Sequence, residues 1–106
     1  MSGRTKPEEG FQDGVVEYAH LRGWRAAHFR PAWSARGYRT PVQYDGDGFP
    51  DLVLCRSPRL VIAEVKVRAP VSAKQRAWLD LLGEVPGIEV YVWRPKDWPE
   101  IERVLA

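Results

Sequence analysis

The stretch Gly48-Phe49-Pro50-Asp51-Leu52-Val53-Leu54-Cys55-Arg56-Ser57-Pro58-Arg59-Leu60-Val61-Ile62-Ala63-Glu64-Val65-Lys66-Val67 decides the fold. Residues 51–56 and 59–67 are runs rich in apolar and β-branched side chains, and the Ser57-Pro58 break between them is short enough for a hairpin. Side chains alternate along a strand, so Leu60, Ile62, Glu64 and Lys66 share one face while Val61, Ala63, Val65 and Val67 share the other. The antiparallel return carries Asp51 toward the end where Glu64 and Lys66 project together. The spacing agrees, with Asp51 seven residues before Pro58 and Glu64 six after it.

Outward from this hairpin, Phe11, Val15, Ala19 and Arg22 recur at helical intervals with Tyr18 alongside, and Gly23 stops that helix. Residues 1–7 read as a tail and 8–106 as a single domain. Residues 24–30 read as a short strand. Residues 31–48, punctuated by Pro31, Gly37, Pro41, Gly46 and Gly48, read as a long loop, a feature that in compact domains often carries function. On the other side, Ser72-Ala73-Lys74-Gln75 has the form of a capping box, and Gln75, Trp78, Leu81 and Leu82 give one face of a second helix. Residues 88–93 alternate as a strand, and Asp97 is placed to cap a terminal helix carrying Ile101, Val104 and Leu105. The order helix, strand, hairpin, helix, strand, helix predicts an α/β fold in which the second helix crosses over and brings the last strand into a mixed sheet.

A chain of 106 residues, 44% hydrophobic, supports one core. Its net charge of +2 does not by itself call for a nucleic-acid partner. The single cysteine, Cys55, leaves no internal disulfide framework and no Cys-rich zinc site. Nothing approaches the ~20 apolar residues of a membrane span, and the N-terminal segment lacks the apolar stretch of a signal peptide. The expectation is a soluble, intracellular, cytoplasmic protein with no membrane partner.

Two carboxylates converging at one end of a hairpin make an oxygen-donor site suited to Mg²⁺ or Mn²⁺, ions that keep several waters and take only one or two carboxylates. Lys66 adds a positive charge where a phosphate or attacking water would lie. The plainer alternative is an exposed Glu64–Lys66 pair on an edge strand, contributing at most about 1 kcal/mol. It leaves Asp51, after its Gly-x-Pro turn, unexplained.

Gly48-Phe49-Pro50-Asp51 followed by Glu64-Val65-Lys66 resembles the PD-(D/E)XK nuclease signature, and specifically its small, single-domain, phage-like VRR-NUC branch. The likeness extends to a first helix with Glu8 and Gln12 four apart, a Ser72-x-x-Gln75-x-x-Trp78-Leu79 helix and a Val90-Tyr91-Val92-Trp93-Arg94-Pro95 strand, in the expected order. It implies a restriction-endonuclease-like core and a metal held by Asp51, Glu64 and the Val65 carbonyl. Lys66 would orient the attacking water, and Glu8 and Gln75 would complete the catalytic set. Glu8 also suits a first helical turn through the helix dipole, and Glu9 stands next to it. Gln75 also completes the capping box, two roles that one side chain is not expected to serve together. Between Lys66 and Ser72 the chain reads Val67-Arg68-Ala69-Pro70-Val71, where the family commonly has a longer, Gly-containing turn.

From Tyr18 to Tyr44 there are five arginines and no Asp or Glu, interleaved with Trp24, His28, Phe29, Trp33 and Tyr38. Arg30, Arg36 and Arg39, with Lys74, are the expected phosphate contacts, and Arg56, Arg59, Arg68 and Arg76 could extend that surface. Trp24 and Phe29, on the predicted strand, read as core. Trp78, Trp93 and Trp98 read as core or interface, and neither His20 nor His28 has a partner at metal spacing. The expected function is a Mg²⁺- or Mn²⁺-dependent endonuclease hydrolysing DNA phosphodiester bonds. The resemblance adds branched substrates such as four-way (Holliday) junctions and a homodimer, with Trp78, Leu82 and Trp98 as candidate interface positions. The alternative is a non-catalytic DNA-binding module on the same fold.

Overall fold

The computed structural model of the chain describes the backbone of residues 6–29, 32–34, 37–39 and 44–106 and the side chains of residues 7–29 and 44–106. Helix α1 (Lys6–Leu21) is followed by β1 (Arg25–His28), two short strands β2 (Ala32–Ser34) and β3 (Gly37–Arg39), and the hairpin β4 (Leu52–Arg56) and β5 (Arg59–Val65). Then come α2 (Ala73–Gly83), β6 (Ile88–Trp93), a 3-10 turn over Pro95–Asp97 and α3 (Trp98–Leu105). The main sheet has the order β1-β4-β5-β6. Its first two pairings are antiparallel and the last, reached through α2, is parallel. This is the mixed α/β arrangement expected from the pattern of elements.

Three details depart from expectation. Helix α1 begins at Lys6, inside the segment read as a tail, because Pro7, Glu8 and Glu9 all suit a first helical turn. Within the segment read as a long loop, β2 and β3 pair as a separate two-stranded sheet, each strand too short to show an alternating pattern. Asp97 stands at the N-cap of α3, but its side chain accepts from the Arg94 N–H at 2.9 Å rather than from the helix.

The core lies on one face of the sheet. Phe11, Val15 and Ala19 of α1 and Ile101 and Leu105 of α3 pack with Leu52, Leu54, Val61, Ala63 and Val65 of the central strands, joined by Trp24 and Trp93. Alternation therefore turns Val53, Ile62 and Glu64 toward α2, where Leu79 is the buried residue and Leu81, expected on the inner face, is 58% exposed. Helix α1 ends in a Schellman motif: Trp24 N–H reaches the Ala19 carbonyl, Gly23 N–H reaches that of His20, and Gly23 takes the left-handed φ of 87°. Among the described residues, no helix is long and apolar enough to cross a membrane.

The turn end of the hairpin is tied to the chain's last residues. Trp24 Nε1 donates to the Leu105 carbonyl at 2.9 Å, Arg56 donates to the carbonyls of Arg22, Leu105 and Ala106, and Arg59 donates to that of Val104. Both guanidinium groups lie over the Trp24 ring. The unmatched carbonyls at the end of α3 thus gain donors and positive charge. Arg56 and Arg59, expected to extend a DNA surface, are committed to this structural role, at the opposite end of the hairpin from Asp51 and Glu64.

Arg59 also forms a two-pronged ion pair with Glu89, both contacts at 2.7 Å, and Tyr91 donates to the same carboxylate. The Arg59 hydrogen bonds hold the Glu89 carboxyl below its ordinary range, while burial and the Glu89 carboxylate push the Tyr91 hydroxyl up. A carboxyl whose value is lower in the folded than in the unfolded chain adds stability that is complete above the ordinary glutamate range. That stability disappears as pH falls through the folded value. In urea titrations across pH 3 to 7, wild type should therefore lose its advantage over Glu89→Gln on acidification, whereas parallel pH profiles would show that the pair adds nothing.

Candidate active site

Register builds the site. Leu52 pairs with Ala63 in the hairpin, so the next facing positions are Asp51 and Glu64, on the same side of the sheet. Asp51 Oδ2 accepts from the Val65 N–H at 3.2 Å, which fixes that carboxylate across the end of β5. Glu64 is 1% exposed, and Lys66, two residues on, places Nζ 3.7 Å from Glu64 Oε2. The exposed edge-strand pair considered above is therefore excluded. β5 is an inner strand, and this carboxylate and ammonium are largely withdrawn from water.

Gln75 supplies the second hold on Glu64. Its Nε2 donates to Glu64 Oε2 at 3.0 Å while its Oε1 accepts from the Ser72 N–H at 2.9 Å, and Ser72 Oγ accepts from the Gln75 N–H. The expectation that capping and site contact compete is overturned, because a carboxamide has an acceptor and a donor on separate atoms. The oxygen closes the capping box, and the nitrogen is aimed at the sheet.

The segment before Asp51 is seated on α2 by a different set of contacts. Gly48 has φ of 90°, and a Cβ there would come within 2.8 Å of Lys74 backbone and side-chain atoms, so both conformation and space require glycine. Trp78 Nε1 donates to the Asp45 carbonyl at 2.8 Å, and Phe49 meets the Trp78 ring edge-on at 5.1 Å. Lys74 Nζ bonds Asp47 at 2.7 Å, and that carboxylate raises the Lys74 ammonium above its ordinary value. Lys74, expected on DNA, lies at the start of α2 and is paired with Asp47. The side chains of Arg30, Arg36 and Arg39 lie outside those described.

Among the described residues, no three of His, Cys, Asp and Glu gather into a metal-holding group. The donor set that remains, two carboxylates on facing strand positions with the Val65 backbone at the strand end, matches the needs of a small hard cation that retains water. Phe29 departs from its core assignment, being 49% exposed. Gln12, which entered the family likeness only as the residue four after Glu8, is 2% exposed and has no hydrogen bond at either amide atom among the described residues. Gln12 lies with His20 and His28 along a groove of about 440 Å³ between α1 and β1. No family model matches the chain, and no curated protein matches it either.

The double role of Gln75 can be separated by mutation. Ser72→Ala removes only the cap and should cost about 1 kcal/mol. Gln75→Leu removes the cap contact and also leaves a buried carboxylate short of a donor, adding about 1–3 kcal/mol. Equal losses for the two variants in urea melts would show that the Gln75–Glu64 bond contributes nothing.

Proposed function

We propose that the chain is a divalent-metal-dependent deoxyribonuclease with a restriction-endonuclease-like core of the VRR-NUC type. The observation that carries this reading is the buried cluster at one end of the hairpin, with Asp51 facing Glu64, Lys66 beside Glu64, and Gln75 fixing the same carboxylate from α2. A purely structural role explains it poorly, since burying a carboxylate and an ammonium costs several kcal/mol that apolar residues of similar size would not incur.

Asp51, Glu64 and the Val65 carbonyl would hold a Mg²⁺ or Mn²⁺ ion. Such an ion polarises a phosphoryl oxygen and lowers the pKa of water. The protein's own groups have separate tasks. Gln75 keeps the Glu64 carboxylate aimed along the strand end. Lys66, tethered at the margin of the cluster, is available to hold the attacking water and to offset charge that grows on the phosphate. Asp51 is kept in place by the Val65 N–H, so little reorganisation is needed when substrate arrives.

The resemblance extends the proposal to branched DNA and to a homodimer presenting two sites. The three candidate interface residues do not form one patch, however. Trp78 and Leu82 belong to α2, whereas Trp98 lies on the other side of the sheet, where it packs edge-on against Phe11 with ring centroids 5.8 Å apart. A shared surface that includes Trp78 and Leu82 would lie on the α2 side, where Leu81 and Val85 are exposed.

Branched and linear DNAs incubated with Mg²⁺ or Mn²⁺ should be cut by the wild-type chain and left intact with chelator. Lys66→Ala should slow cleavage about 10²- to 10³-fold, the typical cost of one preorganised stabilising group. Binding without any metal-dependent cleavage would favour the non-catalytic DNA-binding alternative, and full activity in Lys66→Ala would overturn the role given to that lysine.

A further inference from the structure

The register that aligns Asp51 with Glu64 continues onto β1. His28 pairs with Leu52, so the next facing positions are Phe29 and Asp51, and the Phe29 N–H donates to the Asp51 carbonyl at 3.0 Å. Directly opposed residues project from the same face. Phe29, Asp51 and Glu64 therefore stand in one row across three neighbouring strands, about 5 Å apart by the ordinary strand spacing.

Phe29 is anomalous for a large apolar residue at such a place. It is 49% exposed, while Phe49 packs against it in a T-shaped contact with ring centroids 6.0 Å apart, and Trp78 packs likewise against Phe49 at 5.1 Å. The braced row holds one accessible ring beside a pair of carboxylates. A planar ring at that distance from a metal-held phosphate would meet the base of the adjoining nucleotide, whose π-face every base presents.

We propose that Phe29 is a stacking platform for an unpaired base next to the scissile phosphate, so that the substrates are nucleic acids with single-stranded or splayed nucleotides at the cut. A base stacked within intact duplex has both faces covered and cannot use the ring. The distinction follows from geometry: the ring lies one strand from Asp51, on the side away from Glu64. This inference rests on the nuclease reading for the position of the phosphate, and it can fail while that reading stands.

The test compares binding of a fluorescent single-stranded oligonucleotide and its fully paired duplex, by anisotropy, in a Lys66→Ala background that slows cutting. Adding Phe29→Ala should weaken single-strand binding about tenfold, within the range for one base–aromatic stack, and leave duplex binding unchanged. Phe29→Tyr, which keeps the ring, should restore it. Equal weakening on both DNAs, no change on either, or failure of tyrosine to rescue would overturn the proposal. Metal-dependent cleavage by the otherwise wild-type chain, measured in parallel, shows separately whether the nuclease reading holds.

Discussion

The carboxylate of Glu64 is almost wholly withdrawn from water, and the site end of the molecule is arranged around holding it there. A buried charge is tolerated only with compensating partners, and two of them reach Glu64 from different directions. Lys66 reaches it from the same strand, and Gln75 reaches it from the first turn of α2. The second contact makes the position of α2 part of the site. Because the same glutamine closes the capping box, the rotation of its side chain, the start of the helix and the direction of the Glu64 carboxylate are set together. The Gly48 segment then seats on that helix start, which brings Asp51 into line.

The two ends of the hairpin have different tasks. At the turn, Arg56 and Arg59 are spent on the end of α3, on Trp24 and on Glu89, and bind the last residues of the chain to the sheet. At the open end, two carboxylates and an ammonium are collected, with Glu64 and Lys66 largely withdrawn from water. One end is structurally satisfied, and the other gathers charge. Natural chains place such costly clusters where chemistry or binding uses them, and the nuclease reading proposed here is the use that accounts for the residue types.

Much of this was legible in the sequence because strand periodicity and a two-residue turn fix register by counting. The facing of Asp51 and Glu64 follows from that counting, and the crossover that makes the last pairing parallel follows from the order of elements. The capping box at Ser72 and Gln75 was equally legible, but its outcome was not, since letters do not show that two atoms of one amide serve different partners. The arginines misled for a related reason. Arg56 and Arg59 look like surface charge in the sequence, and only the path of the C-terminal residues shows what they hold. Phe29 reads as core because it falls on the predicted strand, and periodicity alone does not show that its ring is left 49% exposed. The strands β2 and β3, three residues each, are too short for alternation to register.

The central claim is that Asp51 and Glu64 form one cation site. Titrating Mn²⁺ into the isotopically labelled chain and following paramagnetic broadening of its amide resonances tests this without reference to cleavage. The account predicts that broadening begins at residues 51 and 64–66 and is lost in Asp51→Asn while the rest of the spectrum is retained. Broadening centred elsewhere, or unchanged in Asp51→Asn, would contradict it.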